Sequence, residues 1–243
     1  MRQKVLNEKE LELLQKEVYE ANLYLHNSKL AIHTWGNVSA ISKDRKYMVI
    51  KPSGVSYELI KSTDMVIVDL ETGKSQGLNP SSDAPTHLLM YKANDEIRAI
   101  VHTHSTHAVA WSQAEQAIPC FGTTHADNFL GAVPITRVLS GAEIVENYEF
   151  YTGKAIVEAF QDQGSMPKNG AILARRHGPF TWSSKSPKDA VDLAITLEEV
   201  ARMAMFTKMI NPSISSLSKD LESKHYYRKH GANAYYGQAK KIK

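Results

Sequence analysis

Leu11, Leu14, Val18, Ala21 and Leu25 fall at intervals of three and four, which predicts an amphipathic helix early in the chain. Asn7, three residues before Glu10, reads as its N-cap with a reciprocal acceptor. Tyr47–Ile50 and Met65–Leu70 are short apolar runs and predict strands, the second closing on a hairpin turn at Glu71-Thr72-Gly73-Lys74. Ile100-Val101-His102-Thr103-His104 is an apolar strand ending in two histidines, and Ala108–Trp111 suggests a short helix. Gly122–Asp127 reads as a polar loop and Thr152–Gln161 as a helix. Ala171–Ala174 reads as a buried strand that delivers His177 to a turn at Gly178-Pro179. The longest helix opens at Ser186-Pro187-Lys188-Asp189 and keeps apolar spacing through Val191, Ala194, Leu197, Val200, Ala201, Ala204 and Met205 towards Asn211-Pro212. No linker, repeat or low-complexity tract interrupts this pattern, so residues 1–243 read as one domain.

The candidate chemistry centres on the histidine pair. Side chains on a strand alternate faces, so His102 and His104 point the same way, roughly 6–7 Å apart. Two imidazoles on one strand suit a divalent cation that takes further ligands from elsewhere, and Asp83 and His177 are the candidates. Lys51-Pro52-Ser53-Gly54 follows a strand and reads either as a turn or as a phosphate cradle, with glycine admitting an anion to the backbone and Lys51 adding charge. Ser81-Ser82-Asp83 precedes a helix with Pro85 in its first turn, where capping competes with anion binding at the helix N-terminus. His87 on that helix reads as a surface or packing residue. Asp127, in the polar loop, is an acid/base candidate.

Composition narrows the setting. With 42% hydrophobic and 23% charged residues the chain is an ordinary globular protein, and its formal charge of +3 is too mild to imply nucleic acid. The tail Lys240-Lys241-Ile242-Lys243 carries part of that charge and reads as a solvated end. Cys120 is the only cysteine, which permits no internal disulfide and fits a reducing cytoplasm. No apolar run approaches the ~18 residues of a membrane span, and the N-terminus lacks a signal-like core, so the expectation is a cytoplasmic protein without membrane partners. Lys224 to Gly237 mixes basic residues with four tyrosines, unaccompanied by a nucleic-acid motif, and is expected to dock.

Seven segments in order resemble the class II aldolase/epimerase family, and within it the bacterial L-ribulose-5-phosphate 4-epimerase branch. They are Thr34-Trp35-Gly36-Asn37-Val38-Ser39, Lys51-Pro52-Ser53-Gly54, Pro80-Ser81-Ser82-Asp83, His102-Thr103-His104, Gly122-Thr123-Thr124-His125-Ala126-Asp127, His177-Gly178-Pro179-Phe180, and Lys229-His230-Gly231-Ala232 through Tyr235-Tyr236-Gly237. The likeness spans nearly the whole chain. It implies an α/β fold with a central, mainly antiparallel β-sheet flanked by helices, assembled as a four-fold homotetramer. Residues 220–243 would complete a neighbouring subunit's active site. The metal ligands implied are Asp83, His102, His104 and His177, holding one divalent ion per subunit, with zinc, manganese or cobalt all suited. Asn37, Lys51, Ser53, Gly54, Ser81 and Ser82 would hold the substrate phosphate. Asp127 would be one acid/base group and Tyr236, from the neighbour, the other, with Thr123, Glu149, His225 and Arg228 in support. Arg175-Arg176, Asn128 and Leu130 depart from the branch's usual pattern and bear on substrate preference.

The reaction implied interconverts L-ribulose 5-phosphate and D-xylulose 5-phosphate, a step of carbohydrate metabolism shared by arabinose and sugar-acid breakdown. C4 is not adjacent to the carbonyl, so its proton is not acidic, and inversion calls for C3–C4 cleavage and re-formation. An alternative within the resemblance is a class II sugar-phosphate aldolase that releases its products. Those enzymes usually place glutamate where Asp83 stands. A third reading is a non-catalytic scaffold of the adducin-head kind.

Overall fold

A computed structural model describes residues 2–164, 166–231 and 234–236. Ala232, Asn233, Gly237 and the Lys240–Lys243 tail, all invoked above, lie outside these residues. Among the described residues seven strands form one sheet: β1 (Asn37–Ile41), β2 (Tyr47–Ile50), β3 (Val66–Asp69), β4 (Ser75–Gln76), β5 (Ala99–His102), β6 (Gly170–Ala174) and β7 (Gly178–Ser183). Their spatial order is β4-β3-β2-β1-β5-β7-β6, and every pairing is antiparallel. The expected α/β single domain with an antiparallel sheet is what the chain forms.

The sheet lies between helical layers. On one face Val38, Ala40, Val49 and Val101 pack with Val18 and Leu25 of α1 (Arg2–Asn27) and with Val191 and Ala194 of α6 (Pro187–Ile210). On the other, Met48, Ile50, Ile100, Phe180 and Trp182 pack with Met90 and Tyr91 of α2 (Ala84–Ala93) and Ile156 of α5 (Gly141–Glu158). A third cluster joins α3 (Thr106–Gln113), through Ala108, to Leu173 and to Leu197 and Ala201. α4 (Thr123–Ala126) and α7 (Lys219–His230) pack on each other.

Several boundaries differ from the sequence reading. α1 already runs from Arg2, so Asn7 lies inside the helix and does not begin it; Gln3, Lys4 and Leu6 are good helix formers and extend it backwards. α5 begins at Gly141, where Ser140 and Glu143 form the capping box, and Asn147 interrupts it with an extended backbone. The segment read as a loop at 122–127 is the one-turn helix α4 with Asp127 at its C-terminus. Gly178 and Pro179 belong to β7, and the turn is made by Arg175, Arg176 and His177.

Register positions the site. Asn37 of β1 pairs with His102 of β5, and His102 pairs with Phe180 of β7. One row across three adjacent strands therefore carries a candidate phosphate ligand, a candidate metal ligand and an aromatic support. Pro52 and Pro80 form an isolated bridge, and the N–H of Ser81 donates to the carbonyl of Lys51 at 2.9 Å, which ties the two candidate anion loops together beside that row.

Candidate metal centre and active site

His102 ends β5, His104 follows two residues on, and His177 enters from the turn before β7. One ring nitrogen from each lies within 4.8 Å of the others. The His102 Nδ1–H donates to the Pro179 carbonyl at 3.0 Å, which leaves Nε2 as the lone-pair nitrogen. That Nε2 is buried and has no hydrogen-bond partner, and neither has the buried His177 Nδ1. Burial lowers the pKa of all three imidazoles, that of His177 to about 4. They are neutral donors at physiological pH. Buried polar atoms are seldom left unpaired, and two orphaned nitrogens in a cluster of three converging neutral imidazoles fit a divalent metal.

Two glycines allow this convergence. A Cβ on Gly36, whose φ is 77°, would sit 2.9 Å from the His102 carbonyl oxygen, and one on Gly178 would sit 2.6 Å from that of Thr103. The His-Thr-His backbone is thus gripped from both sides at distances that exclude any side chain. The Phe180 ring stacks on His102 with centroids 4.3 Å apart and fixes its plane.

Asp83 stands at the N-cap of α2, yet its side chain makes no capping hydrogen bond. Its Oδ2 instead accepts from Asn37 Nδ2 at 2.7 Å and from Ser81 Oγ at 3.3 Å. Burial pushes its pKa up, but the fields of His102, His87 and His177 and the Asn37 hydrogen bond outweigh that and hold it below the usual carboxylate value. Capping therefore does not account for Asp83; an ionised carboxylate beside the histidines does. It is not one of the three atoms that converge within 4.8 Å. His87 is fully buried, as a packing residue, with Nδ1 2.8 Å from Ser39 Oγ, which also bonds Tyr91 Oη at 2.9 Å.

A cavity of about 380 Å³ opens over this cluster, lined by residues 34–37, 51–54 and 81–83 together with His104, Tyr148, Glu149 and His177. It gathers Asn37, Lys51, Ser53, Gly54, Ser81, Ser82 and Glu149 at one place. Lys51 is buried, with Nζ donating to the Val55 carbonyl at 2.6 Å and to that of Pro52 at 3.3 Å. Burial lowers its pKa to about 8. An ammonium has three donors, so one remains for an anion in the cavity. Ser81 and Ser82, just ahead of α2, bring donors and the helix dipole to the same point.

The remaining predicted residues form a second cluster that does not line this cavity. Arg228 donates to Asp127 through two nitrogens, at 2.9 and 2.7 Å, and His225 Nδ1 lies 3.1 Å from the same carboxylate. Burial would raise the Asp127 pKa, but the Arg228 and His225 hydrogen bonds prevail and hold it below the ordinary range. The Arg228 guanidinium lies over the Tyr236 ring, 4.7 Å from its centroid, and Thr123 begins the turn that ends at Asp127. Among the described residues of the C-terminal stretch, α7 packs on α4 of its own chain. Arg175 and Arg176 both pair with Glu115. Sequence reasoning missed Tyr148 altogether: its ring lies 5.8 Å from His177, and the only signal was its position beside Glu149.

The sequence profile of the family described as "Class II Aldolase and Adducin N-terminal domain" matches residues 16–205. The chain belongs to that family. A relative from Mycoplasma pneumoniae, named "Probable L-ribulose-5-phosphate 4-epimerase UlaF", is 52% identical over 241 residues, 98% of each chain. Among solved structures, an L-fuculose 1-phosphate aldolase superposes with a TM-score of 0.71 at 22% identity, over 87% of this chain and 94% of its own. The L-fuculose-1-phosphate aldolase of Thermus thermophilus gives 0.64 at 23% identity, over 83% and 98%. At those identities the structures establish the shared fold. The three-histidine cluster fits the divalent-metal dependence of the family. No helix among the described residues is long and apolar enough to cross a membrane.

Proposed function

We propose that this protein is an L-ribulose-5-phosphate 4-epimerase, working by cleavage and re-formation of the C3–C4 bond. The observation that carries the reading is the three-histidine cluster, two of its buried nitrogens without a partner, with ionised Asp83 beside it, in a chain half identical, over 98% of its length, to a relative of that name. His102, His104, His177 and Asp83 are the residues that would hold the cation. Once bound, a divalent cation supplies Lewis-acid stabilisation for negative charge on the substrate's carbonyl end.

The chain's own groups divide the remaining work. Lys51, Ser53, Gly54, Ser81, Ser82 and Asn37 bind the phosphate and keep the two-carbon aldehyde fragment from leaving. Its C4 carbon then turns and offers the other face to the three-carbon enediolate. Asp127 and Tyr236 exchange the C4 hydroxyl proton, one serving each epimer. Both are tied to Arg228 and lie outside the cavity of their own chain. We therefore assign both to the cavity of a neighbouring subunit, in a four-fold homotetramer, with Thr123, Glu149 and His225 in support. Zinc, manganese and cobalt suit the donor set, and the setting is cytoplasmic sugar-phosphate breakdown, arabinose catabolism among its routes.

A coupled assay on chelated protein, before and after adding manganese, cobalt or zinc, tests this. Metal-dependent formation of D-xylulose 5-phosphate without free aldehyde supports it. Accumulating aldehyde would make the protein an aldolase, and silence with every metal would leave the scaffold reading.

A further inference from the structure

Two aromatic side chains flank the histidine cluster at the cavity, and the reaction outlined above gives neither a task. The Trp35 ring lies 6.0 Å from that of His104, and the Tyr148 ring 5.8 Å from that of His177; both residues line the cavity. Each is held by features local to it. The Trp35 backbone N–H donates to the Ile32 carbonyl at 3.0 Å, and the Tyr57 hydroxyl donates to the backbone carbonyls of Trp35 and Gly36 at 3.3 and 2.9 Å. On the other side Asn147 breaks α5, and its Oδ1 accepts the Phe150 N–H at 3.1 Å, so a new helical arm starts at Tyr148. That arm is locked to α2. Thr86 donates to the Glu149 carbonyl at 2.6 Å, and Gly153 packs so closely on Thr86 that a Cβ there would lie 2.9 Å from the Thr86 Cα. α2 is the helix that Asp83 begins, so Tyr148 and Asp83 are fixed relative to each other.

We propose that Trp35 and Tyr148 are the retaining walls of the cavity, holding the three-carbon fragment of the split substrate over the histidines while the two-carbon aldehyde turns. The assignment rests on the epimerase reading above. Cleavage moves the C3–C4 electron pair onto the C1–C3 fragment and leaves C4 as an aldehyde, and the base holds the C4 hydroxyl proton. The C1–C3 fragment is planar and conjugated, a shape that aromatic walls contact face to face. Should it tip out, that proton's equivalent ends on C3 and the pieces leave as dihydroxyacetone and glycolaldehyde phosphate, whose atoms sum to the starting pentulose phosphate. The phosphate loops grip only the two-carbon end. Retention of the other end therefore falls to groups around the histidines, and Trp35 and Tyr148 are the broad apolar surfaces there. Burial raises the Tyr148 pKa, so its hydroxyl stays neutral near Asp83.

The test measures free glycolaldehyde phosphate released per D-xylulose 5-phosphate formed by the full-length, manganese-loaded protein. Trp35→Ala and Tyr148→Ala are expected to raise that ratio roughly tenfold, the factor carried by one lost aromatic contact, while Tyr148→Phe stays near the parent. Metal content by elemental analysis is expected to be unchanged. Phosphoglycolate, a stable mimic of the two-carbon end, is expected to bind parent and variants alike in equilibrium titration. An unchanged ratio in both alanine variants overturns the proposal, as does a Tyr148→Phe leak equal to that of Tyr148→Ala. Loss of metal, or tenfold weaker phosphoglycolate binding, overturns it too, by making these residues supports of the histidines or of the phosphate end. A parent protein that does not epimerise sinks the underlying reading instead, which is a separate outcome.

Discussion

Replacing Gly178 by alanine tests the claim that the site is built by backbone contact. The added Cβ would lie 2.6 Å from the Thr103 carbonyl oxygen, with His102 Cε1 and Val109 Cγ2 at 3.4 and 3.5 Å. The last two are tolerable; the first is not, and because the opposing atom is backbone no rotamer change relieves it. An ordinary carbon–oxygen contact is about 3.3 Å, so the Thr103 peptide must move by about 0.7 Å. That exceeds the ~0.5 Å within which a preorganised ligand set works. Overpacking of this kind costs ~1–3 kcal/mol; at ~2–4 °C per kcal/mol for a chain of this length, a value of ~2 kcal/mol lowers the thermal midpoint by ~4–8 °C. Metal affinity, read by competition with a chelating dye, should fall ~10–100-fold, as it does when ligand-orienting groups are disturbed. Gly141→Ala is the control: nothing lies within 4 Å of its added Cβ, and its effect should stay within ~0.5 kcal/mol. A Gly178→Ala protein with parental midpoint and parental metal affinity would refute the argument.

Asp83→Asn should leave α2 intact by circular dichroism, since Asp83 does not cap it, yet weaken metal binding by roughly tenfold or more; parental affinity would remove Asp83 from the ligand set. Lys51, with its pKa brought down to about 8 by burial, carries its charge below that pH and loses it above. KM for the sugar phosphate should therefore rise as pH climbs through 8, and Lys51→Met should start high and lose the dependence; a flat parental profile contradicts this. Burial lowers His87 to about 3 and His177 to about 4 from an ordinary 6.5. Between those values and 6.5 the unfolded chain binds protons that the folded chain does not, so stability is lost as pH falls through that window. The slope is up to ~1.4 kcal/mol per pH unit for each histidine. The urea midpoint of metal-free protein should drop between pH 6.5 and 4, and a level midpoint would contradict the burial of these rings.

The three-histidine cluster was legible because its information is local. A two-residue spacing puts His102 and His104 on one side, and the apolar run 171–174 marks the strand that brings His177 to them. β1 was not legible, because all five residues Asn37–Ile41 are buried and Ser39 is satisfied by His87 and Tyr91, so alternation is absent. The ambiguity at Ser81-Ser82-Asp83 was real: the residues that cap helices also bind anions and cations, and the missing capping hydrogen bond together with the contacts from Asn37 and Ser81 to the Asp83 carboxylate decides against capping. The grouping of Asp127 with Arg228 and Tyr236 spans about a hundred residues of chain, and no periodicity encodes it. Tyr148 was invisible for a similar reason, since its place depends on a helix break at Asn147 and a contact with Thr86.

The most direct test of the central claim is to run the manganese-loaded protein on L-ribulose 5-phosphate in deuterium oxide and read the product by NMR. Cleavage and re-formation of C3–C4 never detach the C4 hydrogen, so the account predicts D-xylulose 5-phosphate with protium retained at C4. Deuterium at C4, or no product from metal-loaded protein, would contradict it.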